Sequence, residues 1–547
     1  MLAPVPRADA VARAHLLLYL QSAALYIKSS SIKHGKTRAL TFPDFMRTSQ
    51  GIILCLMKLN DIYASSLALL TDLYQLTMAY GYWKQGMAER EAVFNLYFRK
   101  NPFGGGYTVA AGLEYVVNYL QELQFREDDL AYLASLEGNA GRPLFETAFL
   151  DYLRNMRFSC TVDAIPEGTA VFPGEPLVRV RGPLLQAQLI ETPLLTIINF
   201  QTLIATKAAR ITDAAKGDQV MEFGMRRAQG IDGALAATRA AYVGGADATS
   251  NLLAGKLFDI PVRGTHAHSW VQAFDSEQEA FEAYGKAFPK DSVFLVDTYD
   301  TLEGVRHAIK TAQKLQPLGF VFGGIRLDSG DLTYLSVEAR KLLDAAGFTD
   351  ASIVASNDLD EHIITSLKSE GARINAWGVG TRMVTAYDQP ALGGVYKLAA
   401  IRQDNGDWDY KIKLSEQRAK TSTPGILQVR RFYDGDGYQA DMIYNLAEPL
   451  PQKQIIVDPL DSTRRKSVAP GTRYKDLLEP IFEQGKLVYT LPDLKAIKAK
   501  TKTELNLLHE SIRRYLNPHS YPAGLEESLH QYKINLILKL RGENTNA

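Results

Sequence analysis

From about Leu189 to Thr381 the chain alternates short β-branched, apolar runs with stretches whose apolar residues recur every third or fourth position. Thr196 to Ala215 reads as a helix and Gln219–Phe223 as a strand. Asp232 is placed to cap a helix through Ala241, which Gly244 and Gly245 end. Val262–Thr265 reads as a strand, and Ser276 with Glu279 forms a capping box for a helix to about Phe288. Val293–Val296 is the next strand, and Asp300 with Glu303 caps a helix to Leu315. Then follow a strand Phe320–Leu327, a helix Asp331–Ala346, a strand Ile353–Ala355, a helix Glu361–Glu370 and a strand Ile374–Val379. Strand–helix units repeated at this spacing predict a parallel sheet, either doubly wound or closed as a barrel.

The polar residues favour the barrel. Glu222 with Arg226 and Arg227, Asp247, Thr265 with His268, Asp297, Arg326 with Asp328, Asn357 with Asp358, and Thr381 all fall at or just beyond predicted strand ends. A barrel gathers such ends around one mouth, whereas an open sheet focuses them at one switch point. Outside this core, residues 70–189 mix helices with Gly/Pro turns, and β-rich runs follow Leu392 (Val395–Ile401, Ile426–Tyr433) before a helical tail around Lys500–Leu516. The expected fold is α/β: an irregular (β/α) barrel with a second α+β domain built from the N-terminal part and C-terminal segments. The boundaries read as an extension over 1–66, an N-terminal α+β domain over 67–190, a barrel over 191–400 and a C-terminal segment over 401–547.

Composition narrows the classes. The 547 residues are 46% hydrophobic and 22% charged, with Lys+Arg and Asp+Glu both 61. Zero net charge argues against broad affinity for nucleic acid or an acidic membrane, but not against a local anion pocket. Cys55 and Cys160 are the only cysteines, so a disulfide scaffold and a Cys-based zinc site are excluded and a reducing, cytoplasmic setting is expected. No apolar run reaches 18 residues, so no membrane helix is expected. Residues 1–60 carry eight Lys/Arg against Asp9 and Asp44. That imbalance suits either a transit peptide or an extension upstream of the folded part, and the second reading is preferred.

Gly264-Thr265-His266-Ala267-His268-Ser269-Trp270 holds two of the nine histidines, one residue apart, after the apolar run from Ile260 to Val262. Imidazole accepts protons and phosphoryl groups near neutral pH. The pair could be metal ligands, a nucleophile with a neighbour, or structural. Metal binding would need further histidines at strand ends, and His307 and His362 fall inside predicted helices, so no protein metal site is expected. Gly378-Val379-Gly380-Thr381 and Gly393-Gly394 allow close backbone approach to an oxyanion, with Arg226, Arg227, Arg326 and Lys397 as cations. In Arg326-Leu327-Asp328-Ser329-Gly330-Asp331, Asp328 suits ribose hydroxyls or magnesium-bound water, while Asp331 serves as a helix cap. Phe294-Leu295-Val296-Asp297-Thr298-Tyr299-Asp300-Thr301 lacks the adjacent acidic pair and phosphate loop of open-sheet phosphoribosyltransferases. Asp300 there reads as a cap. No P-loop is present.

Several segments together resemble the nicotinate phosphoribosyltransferase family, in the right order from about Leu70 to at least Pro449. They are Leu69 to Met78 (with Thr71-Asp72-Leu73-Tyr74), Phe98 to Gly105, Glu222 to Gly230, Gly264 to Ser269, Arg326 to Asp331, Gly378 to Thr381 and Gly393 to Lys397. The resemblance implies a barrel plus an α/β domain and an active site shared across a head-to-tail homodimer. The implied reaction joins nicotinate and phosphoribosyl pyrophosphate to give nicotinate mononucleotide and pyrophosphate, with Mg²⁺ and coupled ATP hydrolysis. By position, His268 matches the transiently phosphorylated histidine, with Arg326 and Asp328 as catalytic partners. Tyr74 and Thr265 match nicotinate contacts, Tyr74 reaching in from the partner. Phe223 resembles the face stacked on the pyridine opposite Arg326. Asp328, Gly380 and Thr381 fit the phosphoribosyl site, Arg226 the phosphate end, and Asp247 a further substrate contact. His266 departs from the family, where that place is often apolar, and is read as local support. Nicotinamide as substrate, a catalytically silent barrel, and a barrel lyase or isomerase remain the alternatives. The Thr71–Tyr74 and Arg226-Arg227 segments favour the acid.

Overall fold

The computed structural model describes residues 65–542, apart from 140, 291, 418 and 419. The extension read at 1–66 lies outside these residues, save its last two. Six parallel strands lie in the order Ala248–Thr249, Gln219–Glu222, Ala376–Val379, Ser352–Asn357, Phe322–Leu327, Ser292–Leu295 and curl into a half-barrel. Helices Gly230–Val243, Glu277–Ala287, Thr301–Leu315, Leu332–Ala345 and Glu361–Ser369 follow in the expected alternation. The side chains of Ser276, Asp300 and Asp331 cap their helices by accepting the backbone N–H of Glu279, Glu303 and Tyr334.

The seventh strand, expected at Val262–Thr265, is reduced to one parallel bridge between Thr249 and Val262. Thr249 N–H donates to Pro261 O, and Arg263 N–H returns to Thr249 O. Pro261 has no N–H to extend the ladder, and the chain departs after Arg263. Asp247, expected at the mouth, lies at the opposite rim. It precedes its strand, its carboxylate accepts the Val220 N–H at the start of the neighbouring strand, and Lys498 pairs with it at 2.8 Å. Among parallel strands the residue before a strand and the residue after it belong to opposite ends of the sheet, so Asp247 is a structural ligand of the base.

The strand alternation sorts residues onto two faces. Val220, Phe294, Ile325, Leu327, Ile353, Ala355, Trp377 and Val379 join the main core under the helices. Met221, Ala248, Val354 and Ala376 form a separate cluster with Phe223 and Val293 inside the curl. Arg326 sits opposite Val354, and Ser356 opposite Gly378, so the inner face turns polar toward its C-terminal end.

The second domain is a seven-stranded antiparallel sheet in the order Trp408–Tyr410, Gly394–Arg402, Glu91–Phe98, Val178–Pro183, Thr161–Ala164, Glu479–Glu483, Lys486–Leu487. It therefore draws on three distant stretches of chain. A barrel boundary at 400 cuts the strand Gly394–Arg402, which belongs wholly to this sheet through its pairing with Glu91–Phe98. A six-stranded sheet from the C-terminal part and helices Leu494–Asn506 and Glu527–Leu540 complete the fold. The tail helix ends at Asn506 rather than Leu516, and His509 caps a separate single turn at Glu510–Arg513.

Buried ion pairs join these parts. The helix Glu191–Ala215 carries Lys207 and Arg210, which reach Glu361 at 2.8 and 2.7 Å. Arg239 meets Glu167 and Glu114 of the second domain at 2.7 and 2.5 Å. Arg431 holds Asp441 at 2.5 Å, Glu504 at 3.0 Å and the Ala170 carbonyl at 2.7 Å. Removing one partner of such a set strands the others without water. Arg431→Met is expected to cost about 3–5 kcal/mol of stability, read as a lower urea midpoint at unchanged slope.

Glu167, Glu361 and Glu504 are held below the usual 4.5 even though burial pushes each one up, because the cations beside them outweigh it. A depressed folded pKa adds stability that is complete above the unfolded value and is lost as pH falls through the folded one. The share of thermal stability owed to these three carboxylates is therefore expected to stay constant from pH 7 to about 5 and to be lost below about 4.5. A calorimetric series across that range checks it.

Candidate active site at the mouth of the half-barrel

The strand Phe322–Leu327 points Arg326 into the curl and delivers Asp328 just past its end. Arg326 Nη1 donates to Thr265 Oγ1 at 2.6 Å, and its Nη2 lies 3.9 Å from Asp328 Oδ1. His268 begins the one-turn helix His268–Gln272. Its Nε2 lies 3.8 Å from Asp328 Oδ2, and its Nδ1 is 3.2 Å from Thr298 Oγ1. Thr265, His268, Arg326 and Asp328 thus form one connected group although 63 residues separate its extremes (328 − 265).

Asp297 supports that group from behind. One oxygen, Oδ2, accepts both Asp328 N–H and Ser329 Oγ–H at 2.8 Å, and Ser356 donates to Asp328 Oδ1. The other oxygen of Asp297 is buried without a hydrogen-bond partner in the protein, as is Arg326 Nε. Burial lowers the Arg326 pKa from its usual value and nearby Arg226 adds to that, against the opposing pull of Asp328 and Asp297. A cation already partly desolvated, with a free donor, is prepared to meet an anion or an aromatic face.

Phe223 occupies the other wall. Its N–H donates to Val379 O at 2.8 Å, and its ring lies over Gly378, where a Cβ would stand 2.6 Å from ring carbon Cδ2. Gly378 is therefore a packing requirement of that ring. Gly380 precedes the single turn Thr381–Val384, and Arg226 lies in the single turn Met225–Arg227, both directly after barrel strands.

Two expected components are elsewhere in the chain. Tyr74, on the helix Leu73–Lys84, borders a cavity of about 260 Å³ lined by Asp72, Thr192, Asn199, Phe200 and Leu392. Gly394 and Lys397 are part of the antiparallel sheet, where Gly394 packs on Asn199 and Lys397 lies 4.0 Å from Glu191. They do not share a turn with Gly378 and Gly380. Glu222 is enclosed, accepting from Gly224 N and from the hydroxyls of Thr238 and Thr249. Thr298, Ser329 and Ser356 escaped the sequence reading. Each lies within three residues of a strand's C-terminal end; that position was the only signal for Thr298 and Ser356, whereas Ser329 also falls within the Arg326–Asp331 segment.

No group of three or more His, Cys, Asp or Glu suited to a metal ion occurs among the described residues. Nor is any described helix long and apolar enough to cross a membrane.

Known proteins share this sequence and fold. Residues 69–199 match the nicotinate phosphoribosyltransferase N-terminal domain, 219–432 the nicotinate phosphoribosyltransferase family, and 427–533 its C-terminal domain. The nicotinate phosphoribosyltransferase of Bacillus subtilis is 47% identical over 482 residues, covering 87% of this chain and 96% of the relative. That of Homo sapiens is 37% identical over 525 residues, covering 85% and 96%. The crystal structure of human nicotinic acid phosphoribosyltransferase superposes with a TM-score of 0.75 at 35% identity, covering 85% of this chain and 99% of that one. A nicotinate-nucleotide pyrophosphorylase from Pyrococcus furiosus, 21% identical with a TM-score of 0.62, shares the fold. On three matched segments, on identity along most of the chain and on a common fold, this protein belongs to the nicotinate phosphoribosyltransferase family.

Proposed function

We propose that this chain transfers the phosphoribosyl group of phosphoribosyl pyrophosphate to nicotinate and couples the transfer to ATP hydrolysis through His268. The observation that carries the reading is the group at the mouth, where a histidine, a carboxylate and a half-buried arginine converge. Displacing pyrophosphate from the anomeric carbon develops positive charge on the ribose and several negative charges on the leaving group. Asp328 is placed to meet the first. Arg226, with the turn at Gly380 and Thr381, is placed to meet the phosphates.

The pyridine fits between Phe223 and Arg326, a ring on one side and a planar guanidinium on the other. Thr265, fixed by Arg326, contacts its edge. For the coupled step, the carboxylate near Nε2 favours the tautomer that carries the proton there, so Nδ1 keeps its lone pair, which accepts from the Thr298 hydroxyl at 3.2 Å until that hydroxyl turns to the incoming phosphate. That lone pair attacks the γ-phosphorus of ATP, the bond to the ADP oxygen breaks, and Asp328 balances the charge left on the ring. Hydrolysis of the phosphohistidine later returns the imidazole.

Magnesium fits the same rim. The unpartnered oxygen of Asp297 and the Asp328 carboxylate are hard oxygen donors of the kind such an ion takes in small number. When bound with the diphosphate, the ion would neutralise the charge of the leaving group.

The homodimer is supported by the surface around Tyr74. Leu67, Leu70, Leu73 and Tyr74 are 50, 41, 54 and 50% exposed. A second copy covering them would carry Tyr74 to its own mouth, completing the nicotinate contacts. A cytoplasmic setting is part of the same reading, supported by the scarcity of cysteine, two in 547 residues.

His268→Ala is expected to abolish the ATP-stimulated increment in mononucleotide formation and all acid-labile ³²P on the protein, while slow ATP-independent transfer persists. Equal loss of both rates would refute the assignment. Gly378→Ala places a Cβ against the Phe223 ring and should raise KM for nicotinate about tenfold through overpacking, with phosphoenzyme formation unchanged.

A further inference from the structure

The open edge of the half-barrel poses a local problem. On the strand Ser292–Leu295, the Val296 N–H just beyond it turns inward and donates to Arg326 O at 3.2 Å. The preceding N–H, that of Leu295, points the other way, out of the sheet edge. Among the described residues no strand pairs with that edge, and Leu295 is fully buried, so water does not reach its donor. The acceptor is a side chain: His266 Nε2 takes the Leu295 N–H at 3.2 Å.

The rest of the His266 environment makes this role specific. Nδ1 lies 3.3 Å from the Ala267 carbonyl, which fixes the proton on Nδ1 and the lone pair on Nε2. The ring is 7% exposed and meets Tyr284 edge-on at 4.8 Å between centroids, with Phe281 and Phe294 beyond. Burial pushes the imidazole down to about 4, so it is neutral and able to accept throughout the working range. Asn, Thr or Ser would be too short to span from this loop to the strand, and an apolar residue would fill the space but leave the amide unpaired.

We infer that His266 is a positioning residue that replaces the missing seventh strand pairing with one side-chain hydrogen bond and so holds His268 in register with Thr298. The inference rests on the reading of His268 as the phosphoryl acceptor. Thr298 follows Leu295 by three residues and His268 follows His266 by two, so the bond ties the two short segments that must face each other at 3.2 Å. Thr265, whose hydroxyl donates to the His266 carbonyl and accepts from Arg326, is fixed by the same segment. A shift of about 1 Å between reacting groups can lower a rate a hundredfold. His266 need not touch substrate to exert that control.

The test compares His266→Phe with His266→Gln. Phe keeps the aromatic packing but removes the acceptor, whereas the Gln carbonyl oxygen can reach where Nε2 stood. Two quantities are measured on the full chain: amide hydrogen exchange of the peptide containing Leu295, and the single-turnover rate of protein phosphorylation from [γ-³²P]ATP. The Phe variant should lose Leu295 protection and phosphorylate about ten- to a hundredfold more slowly. The Gln variant should recover both, which a purely structural role of the ring would not produce. Wild-type phosphorylation rates in a folded Phe variant would overturn the inference, as would a folded Gln variant no better than Phe. If Phe does not fold, Gln decides alone: near wild-type exchange and rate support the acceptor role, and loss of either refutes it. Absence of acid-labile phosphate in the wild type would instead defeat the reading of His268, while exchange at Leu295 would still decide the hydrogen bond.

Discussion

Lys207 and Arg210 stand one turn apart on the helix Glu191–Ala215, and both place their charge on Glu361 in the interior. An unpaired ion there would cost several kcal/mol. A one-residue slip of the helix moves each side chain about 1.5 Å along and 100° around the axis, which would strand both cations at once. The helix therefore has one register. It packs against Gly230–Val243 and Glu361–Ser369 of the barrel and also contacts the antiparallel sheet through Gly394–Arg402. Fixing it fixes the barrel against the second domain, and Arg239 with Glu167 and Glu114 closes the same joint from the other side.

On that fixed frame the inner face of the half-barrel becomes a graded surface. Its base is apolar, with Met221, Val354 and Ala376, and its rim is polar, with Arg326, Asp328 and Ser356. Most polar atoms at the rim are satisfied within the protein. Asp297 spends one oxygen on holding the Asp328 backbone and keeps the other free, and Arg326 spends one nitrogen on Thr265 and keeps Nε free. The division separates groups that build the rim from atoms left for what enters it.

Much of this was legible in the chain because it depends on local patterns. Period-two and period-3.6 alternation located the strands and helices, and Ser276, Asp300 and Asp331 marked helix starts through chemistry that acts within three residues. The resemblance of ordered segments placed Thr265, His268, Arg326 and Asp328 in one site, and the fold brings them together. What failed were features set by distant partners. Asp247 read like a mouth residue because sequence does not show on which side of a two-residue strand a carboxylate falls. The boundary at 400 cut the strand at 394–402, which had read as a β-rich run outside the barrel core, because the partner that fixes its place lies about 300 residues upstream. Val262–Thr265 read as a strand because its composition suits one, yet Pro261 and the early departure of the chain leave a single bridge. Thr298 and Ser356 carry no motif of their own and acquire meaning only from the side chains that arrive beside them.

The antiparallel sheet has a further consequence for how the chain is made. Glu91–Phe98 emerges early, but one of its two neighbours, Gly394–Arg402, is translated roughly 300 residues later, which at 5–20 residues per second is about 15–60 s. The outer strands Glu479–Glu483 and Lys486–Leu487 come later still. The half-barrel, made of consecutive strand–helix units, has its pairings within 219–379 and can assemble while the ribosome is still working. During that interval the apolar strand Glu91–Phe98 has an unpaired edge, the kind of surface that recruits chaperones or neighbouring chains. The cost of weaving three distant stretches into one sheet therefore falls during synthesis, in the yield of correctly assembled molecules, and not in the finished enzyme.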